Sequence, residues 1–224
     1  MTSTATRLGL ACRWGSALAL VIGYAVLSHL TAISDTPSLA GALVATGPML
    51  GLSFLMAWRS ARRARMLLLW LASCAVLYGA RGWLIAHYQW VFLLEHAGTY
   101  SLLCATFGLT LRHGEMPMVS RFAGIVHGRL TPALSRYTRS VTWAWTLYFG
   151  SLAGLSLVLF WLAPIPVWSA FAYLLGMPLL VLMFVGEYAA RCYLLPPADR
   201  AGPLEAIRAY RQSSQKTVVP PHAS

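Results

Sequence analysis

The sequence predicts an all-α, polytopic membrane protein with six transmembrane helices, and three observations carry this prediction. The 224 residues are 58% hydrophobic and only 10% charged, whereas a soluble domain carries about 25% charged residues. Several apolar runs reach the ~20 residues that a helix needs to cross a hydrocarbon core. These runs are continuous rather than alternating, which favours helices over a β-barrel. We expect one six-helix domain over residues 1–195 and a largely disordered cytoplasmic tail over 196–224.

The polar segments between the apolar runs place the helices. Residues 34–38 (SDTPS) form a tight turn, residues 59–65 (RSARRAR) a basic connection, and residues 112–140 a long basic loop. Gly47 and Gly51 have the GxxxG spacing that lets another helix approach closely. Gly150 and Gly154 repeat this spacing. The six crossings are expected at residues 14–33, 39–58, 66–86, 90–111, 141–163 and 167–190.

The long basic loop contains helix signals of its own. Pro117 suits a first helical turn, and Met118, Phe122 and Ile125 recur on one face, which predicts a short amphipathic helix. Thr131 followed by Pro132 is typical of a second helix start. We expect this second helix to continue into the fifth crossing. Prolines also predict irregularities elsewhere, namely a kink at Pro48 and a bend at Gly176 and Pro178.

The basic residues predict the orientation. All but one of the 17 Lys and Arg residues lie in the N-terminus, the second and fourth connections, or the C-terminal segment. With six crossings, these segments share one side. Because segments rich in Lys and Arg remain in the cytoplasm, both termini are expected there. The net charge of +11 then indicates contact with anionic lipid headgroups rather than with nucleic acid.

Ionisable residues inside the predicted crossings are candidates for a functional site. Arg81 lies inside the third crossing, and His29, Glu95 and His96 lie at a similar predicted depth. Because the third and fourth crossings are joined by a short turn, an Arg81–Glu95 ion pair is expected, with the histidines hydrogen-bonded nearby. Alternatively, these four residues line a polar pocket for a headgroup, a proton or a small substrate. A metal or haem site is the weakest interpretation, because two histidines are not a signature.

The basic loop offers a docking surface rather than a catalytic motif. Five arginines lie in it against one acid, Glu115: Arg112, Arg121, Arg129, Arg136 and Arg139. They are expected to face anionic lipid or an acidic partner. His113 or His127 with Glu115 could act in acid–base catalysis, but no acyltransferase, serine-elbow or metal-triad spacing accompanies them. The four cysteines form no CxxC pair. No cofactor or metal is therefore predicted, and a non-enzymatic role is favoured.

Four short motifs in residues 96–145 carry a resemblance. They are HAG at 96–98, FGLTLRHGEMP at 107–117, RFAGIVHG at 121–128 and RYTRSVTWAW at 136–145. Together they resemble a family of small, uncharacterised bacterial inner-membrane proteins encoded near acyl-carrier-protein, ketosynthase and acyltransferase genes in aryl-polyene or xanthomonadin-type clusters. The resemblance implies a multi-pass inner-membrane protein with an accessory role in acyl-chain or polyene-lipid biosynthesis. It supplies no catalytic residues.

Two functional hypotheses therefore remain open at the level of sequence. The first is an accessory protein whose basic cytoplasmic face binds anionic lipid and an acidic partner, such as acyl carrier protein or an acyltransferase. The second is a small-molecule or lipid transporter, or flippase, that uses the polar pocket near the outer leaflet. The absence of a clear internal repeat argues against the second hypothesis.

Overall fold

The computed structural model describes residues 4–34, 36, 38–128 and 130–196, without the side chains of residues 4–12, 126 and 127. Every regular element in these residues is a helix, so the predicted all-α class is confirmed. The helices are α1 (Thr4–Ala32), α2 (Leu39–Arg59), α3 (Arg63–Gly79), α4 (Arg81–Ala86), α5 (Tyr88–Leu109), α6 (Met118–His127), α7 (Pro132–Leu162), α8 (Ile165–Ser169), a π-helical turn (Ala170–Leu175) and α9 (Gly176–Leu194). The predicted tail lies outside the described residues from residue 197 onward.

Four helical segments of the described chain are long and apolar enough to cross a membrane. They are Arg13–Ala32, Leu39–Arg59, Pro132–Leu162 and Ile165–Leu194. Two of the six expected crossings are therefore not among them. In the expected third crossing, at residues 66–86, α3 ends after 17 residues. In the expected fourth crossing, at residues 90–111, α5 carries Glu95 and His96 within its length. Length and composition thus support a membrane protein with four candidate spans.

Two expected helices are interrupted where the sequence weakens the helix. The expected 66–86 crossing breaks at Ala80 into α3 and α4, because Gly79 and Gly82 flank the break and glycine disfavours a helix interior. The last crossing contains the π-helical turn Ala170–Leu175. Pro178 has no N–H to donate to the carbonyl of Leu174, and the preceding turn adopts the wider register. The π-helical turn therefore lies just before the bend that the sequence predicts at Gly176 and Pro178.

Two helices occupy most of the expected loop at 112–140. The predicted amphipathic helix is α6, and the predicted second helix is α7, which runs without a break from Pro132 to Leu162. Gly128 ends α6 with a positive φ of 73°, which glycine adopts at little steric cost because it has no Cβ. Gly114 has a φ of 85° in the turn after α5, where glycine is favoured for the same reason.

The described residues divide into two compact units, which we describe separately. The first comprises Met1–Gly98 and Leu155–Pro178, and its core is built around the fully buried Phe92 and Trp168. Gly41 of α2 lies close to α1 and α5, because a Cβ at this position would lie 3.1 Å from the Thr31 methyl group. Nothing lies within 4 Å of a Cβ built at Gly47 or Gly51. The predicted GxxxG strip of α2 therefore faces no other part of the described chain.

The second unit comprises Thr99–Gly154 and Leu179–Ser224. One stripe of α7 supplies most of its core, namely Leu134, Tyr137, Val141, Trp145 and Phe149. The same helix also carries three threonines at a spacing of four residues. Thr138, Thr142 and Thr146 each donate to the carbonyl four residues earlier. These bonds satisfy hydroxyl groups inside an apolar environment, so the threonines can be buried.

Candidate functional site

The intramembrane carboxylate predicted from the sequence, Glu95, is bonded to α1 rather than to α4. The Tyr24 hydroxyl lies 3.2 Å from Glu95 Oε2 and 3.4 Å from Oε1. Glu95 is only partly exposed and forms no ion pair within the described chain. A carboxyl group in an apolar environment without a cation is costly when ionised. Glu95 is therefore a group that a ligand could stabilise.

The expected Arg81–Glu95 ion pair is wrong. The Arg81 guanidinium instead donates from Nη1 to the Tyr78 carbonyl at 3.1 Å and lies 4.5 Å from the centroid of the Tyr78 ring. The helix break at Ala80 explains this, because the last carbonyls of α3 lack helical donors and an adjacent guanidinium can reach them. Arg81 therefore binds its own helix end and does not belong to the polar cluster.

The two histidines are bonded to serines on the helices that follow the basic region. His29 Nδ1 lies 2.9 Å from Ser169 Oγ, and His96 Nδ1 lies 3.0 Å from Ser156 Oγ. The Trp168 indole also donates to Ser156 Oγ, at 3.0 Å. Because an indole can only donate, the hydroxyl proton of Ser156 is available to His96. Each histidine therefore has a hydrogen-bonding partner on a neighbouring helix.

Two buried hydroxyl groups near Glu95 have no hydrogen-bond partner in the described chain. They are Ser28 Oγ and Tyr173 Oη. Ser28 is fully buried and lies one helical turn after Tyr24 on α1. Tyr173 lies on the π-helical turn, and its ring packs against that of Phe92, three residues before Glu95 on α5. Buried hydroxyls are normally bonded to protein or to ordered water, so each of these two groups can make a further hydrogen bond.

The second unit contains an apolar groove that sequence patterns did not reveal. It lies between α7 and α9, has a volume of about 570 Å³, and its lining is almost entirely apolar. Its lining residues recur at helical spacing on both helices: Tyr137, Ser140, Val141, Ala144 and Tyr148 on α7, and Leu179, Leu182, Met183, Gly186, Glu187, Ala190 and Leu194 on α9. This volume is in the range of small-molecule sites.

Two polar side chains of this lining, Tyr137 and Glu187, form a cluster with Arg191. Arg191 donates to Glu187 Oε1 from Nε at 3.1 Å and from Nη2 at 2.7 Å. Tyr137 donates to the same oxygen at 3.0 Å and lies 3.1 Å from the Glu187 carbonyl. The pairing of Glu187 with Arg191 is expected from the sequence, because residues four apart lie on the same face of a helix. What the sequence did not reveal is Tyr137, which joins this pair from a helix fifty residues away.

The predicted basic face is not uniform. Arg112 and Arg136 are exposed, whereas Arg121 forms an ion pair with Glu115 at 3.0 Å. Arg139 donates to the Leu111 carbonyl at 2.9 Å, and it thereby caps the polypeptide just after α5. Arg129 lies outside the described residues. Arg112 and Arg136 are therefore the described arginines of this loop that are best placed for an external partner.

Two apolar side chains of α6 point outward, whereas Ser120 points inward. Phe122 and Ile125 are about half exposed, whereas Ser120 is buried and lies 2.6 Å from the Thr138 hydroxyl. The N-cap residue of α6, Pro117, forms no side-chain hydrogen bond to the first N–H groups of the helix. Thr110 accepts from the N–H of Met118, and Thr142 accepts from the N–H of Val119. The threonines of α5 and α7 thus hold α6 with its apolar face uncovered.

The catalytic alternative for the basic loop receives no geometric support from the described side chains. Glu115 binds Arg121, and His113 is exposed. The side chain of His127 lies outside the described part. No group of three or more His, Cys, Asp or Glu side chains that could hold a metal ion occurs among the described residues.

These features define a class, that of helical membrane proteins, with one polar cluster in the first unit and one apolar groove in the second. Comparisons with protein-family models, curated proteins and solved structures find no match for this chain. The resemblance seen in residues 96–145 therefore remains an expectation.

Proposed function

We propose that this chain is a six-helix, multi-pass protein of the bacterial inner membrane that holds an acyl chain during acyl-lipid or polyene-lipid biosynthesis. In this proposal the α7–α9 groove receives the chain, and the basic cytoplasmic face binds anionic lipid and an acidic partner such as acyl carrier protein. The protein acts as an accessory component and not as a catalyst. The observation that carries the proposal is the apolar groove, whose lining includes the polar side chains of Tyr137 and Glu187.

The lining of the groove favours an acyl chain over a polar ligand. Almost all of its surface is contributed by apolar atoms, and transfer of hydrocarbon from water to such a surface is favourable. The lining includes small residues, Ala144 on α7 and Gly186 on α9, beside larger ones such as Tyr148 and Leu182. The small side chains leave room for a chain to lie lengthwise between the two helices.

The polar cluster of Tyr137, Glu187 and Arg191 favours an acyl chain with a neutral head group. Glu187 and Arg191 cancel one another's charge, and Tyr137 adds a neutral hydroxyl. A free carboxylate would compete with Glu187 for Arg191 and leave one of the two acids without a partner. A thioester or ester carbonyl needs only one donated hydrogen bond. An acyl chain still attached to its carrier therefore fits better than a free fatty acid.

The start of α7 connects the groove to the basic face. Tyr137 lies between Arg136 and Arg139 on this helix, and Arg136 is exposed. An acidic carrier attracted to Arg112 and Arg136 would approach the end of the groove where Tyr137 and Glu187 meet. Charge attraction of this kind weakens as salt concentration rises.

The six crossings and the cytoplasmic termini are part of the proposal. Together, α3 and α4 extend from Arg63 to Ala86, and α3 contains no buried residue. Its apolar side chains Leu68, Leu69, Leu71 and Val76 are more than half exposed. Such a surface is unfavourable in water and suits lipid. Trp58 and Trp83 lie near the two ends, where aromatic residues meet the membrane interface.

Photo-crosslinking of the purified chain in lipid nanodiscs tests this proposal. The probe is an acyl carrier protein loaded with an acyl thioester that carries a photoreactive diazirine near its end. We expect crosslinks on α7 and α9, and at least fivefold less crosslinking in Gly186→Leu. The matched control is Gly154→Leu, because both glycines have open space around an added Cβ and only Gly186 lines the groove.

The same experiment tests the binding of the acidic carrier by reversing the charge of two arginines. Arg112→Glu and Arg136→Glu are expected to lower crosslinking, and raising the salt concentration should lower it in the wild type. Equal crosslinking of Gly186→Leu and Gly154→Leu would remove the groove from the proposal. Crosslinking that is insensitive to salt and to both reversals would remove the acidic carrier as the partner.

A transporter or flippase is the second candidate, and Glu95 is the observation that favours it. An acid held among hydroxyl groups and lacking a cation is a common element of ion-coupled transport. The readout that separates the two functions is movement of a labelled lipid or solute across proteoliposomes. Movement lost in Glu95→Gln and kept in Gly186→Leu would favour transport over acyl-chain handling.

A further inference from the structure

The length of α7, a candidate membrane span, places a membrane boundary within this helix. Its 31 residues extend about 46 Å at a rise of ~1.5 Å per residue, whereas the hydrocarbon core of a bilayer is ~30 Å thick and needs only ~20 residues. Counted back from Leu162, ~20 residues reach Trp143. This tryptophan is half exposed, and aromatic residues are enriched at the interface between lipid and water. The residues of α7 before Trp143 therefore pass through the headgroup layer.

Two hydrogen bonds to α7 hold α6 at the depth of this boundary. The Val119 N–H donates to Thr142 Oγ1 at 3.2 Å, and the Ser120 hydroxyl lies 2.6 Å from that of Thr138. Both threonines precede Trp143 by no more than five residues, which is about one and a half helical turns. The helix α6 therefore lies in the headgroup layer, next to the edge of the hydrocarbon core.

The described chain leaves the apolar face of α6 uncovered. Phe122 is 53% exposed and Ile125 is 41% exposed, and Met118 is partly exposed. These three residues lie on one face of the helix because they are three and four positions apart. The buried Ser120 points to the other side, towards α7. At the depth of the headgroups, α6 thus presents apolar side chains away from its own protein.

We infer that α6 is an interfacial helix whose apolar face, formed by Met118, Phe122 and Ile125, inserts into the lipid leaflet around it. The apolar faces of such helices lie ~5–10 Å into the boundary between headgroups and acyl chains. Insertion removes the exposed side chains from water, which is favourable. The inference rests on the proposed position of this end of α7 in the cytoplasmic leaflet, and it identifies where the protein contacts the lipid there.

The charges around α6 fit an anionic lipid surface. Arg112 and Arg136 are exposed, and Arg121 neutralises Glu115. Arginines at this depth can bind lipid phosphates, and the cytoplasmic leaflet is rich in anionic lipid. An acidic protein would also be attracted to the arginines. However, lipid already surrounds the apolar face of α6 at this depth, so the face is assigned to lipid and not to a soluble partner.

Depth-dependent fluorescence quenching tests this inference in nanodiscs of phosphatidylcholine and phosphatidylglycerol. The full chain, with its four native cysteines replaced, carries an NBD dye at Phe122→Cys or Ile125→Cys. We expect lipid with a nitroxide on the fifth acyl carbon to quench both dyes at least twofold more than a dye at His113→Cys. Iodide in the water should quench them less. His113 is the control, because it is exposed in the same connection but lies before α6.

A second pair of variants changes the apolar face itself. With the dye at Ile125→Cys, Phe122→Asp should lower quenching by lipid at least twofold, because a charge opposes insertion. Phe122→Leu keeps the face apolar and should quench like the parent. Both variants change an exposed side chain, so the fold should be retained.

The inference is overturned if the dyes at Phe122→Cys and Ile125→Cys respond like the dye at His113→Cys. It is also overturned if they become protected from iodide only when acyl carrier protein is added, since a protein would then cover this face. The measurement itself contains neither carrier protein nor a free acyl chain. A negative crosslinking result for the α7–α9 groove would therefore leave it unchanged, and the two proposals can fail separately.

Discussion

At the scale of single residues, the partners of the polar side chains depend on which helices are neighbours. Arg81 and Glu95 lie close in sequence and carry opposite charges, yet Glu95 bonds Tyr24, which is 71 positions away. Arg81 bonds the end of its own helix because the break at Ala80 leaves a carbonyl within reach. Sequence spacing identified the important groups but could not choose between a neighbouring charge and a distant hydroxyl.

Ser156 has a larger structural role than its size suggests. It accepts from the Trp168 indole and contacts His96, and all three side chains are buried. Ser156→Ala would leave a buried indole N–H without an acceptor, so we expect a loss of about 1–3 kcal/mol of unfolding free energy. Thermal unfolding in detergent measures this. The control Ser151→Ala changes an exposed serine of the same helix and should leave stability unchanged within ~0.5 kcal/mol.

Arg139 is expected to stabilise the fold rather than to bind a partner. Its bond to the Leu111 carbonyl is a charge-assisted bond at a helix C-terminus, which contributes about 0.5–2 kcal/mol. Arg139→Ala should therefore lower the unfolding midpoint in detergent. Arg136→Ala removes only an exposed contact at 3.4 Å and should not. If the unfolding midpoint fell equally in both variants, the specific stabilising role of Arg139 would be wrong.

At the scale of elements, prolines, glycines and charge runs predicted where the chain changes direction. The Ser38 hydroxyl caps α2 by accepting from Gly41, as expected of a polar turn before a helix. The sequence also predicted α6 and the continuous α7. It did not reveal which face of α6 is buried. The inward orientation of Ser120 depends on threonine hydroxyls of α5 and α7, and no local pattern encodes these contacts.

The attachment of α6 predicts how it can be loosened. Thr142 is buried and accepts from the N–H of Val119, so Thr142→Val should leave that N–H unsatisfied and speed hydrogen exchange across α6 by about tenfold or more, as a loss of ~1.4 kcal/mol would. Thr106→Val is the control, because Thr106 is exposed and bonds only within its own helix. Unchanged exchange in Thr142→Val would mean that the threonines do not hold α6.

The groove between α7 and α9 could not be predicted from the sequence. Tyr137, Val141, Ala144 and Tyr148 share one helical face, but such a stripe is usually buried against a neighbouring helix. Gly186 and Ala190 on α9, both small, are among the residues that line the groove. Recognising this requires knowing that these two faces meet, which a single sequence does not provide.

At the scale of the whole molecule, the proposed topology depends on the number of crossings. Charge segregation predicts six, whereas length and composition identify four. Both arrangements leave the two termini on one side. They differ only in whether α3, α4 and α5 form a hairpin through the lipid or remain on the cytoplasmic side. The exposed apolar side chains of α3 favour the hairpin.

The most direct test is labelling of His87→Cys with a membrane-impermeant maleimide in intact bacterial cells, after replacement of the four native cysteines. His87 is exposed and lies between α4 and α5. Thr36→Cys and His113→Cys, both exposed, serve as external and internal controls in either arrangement. Six crossings predict that His87→Cys reacts in intact cells as Thr36→Cys does. If it reacts only after permeabilisation, like His113→Cys, the chain crosses the membrane four times and the proposed topology is wrong.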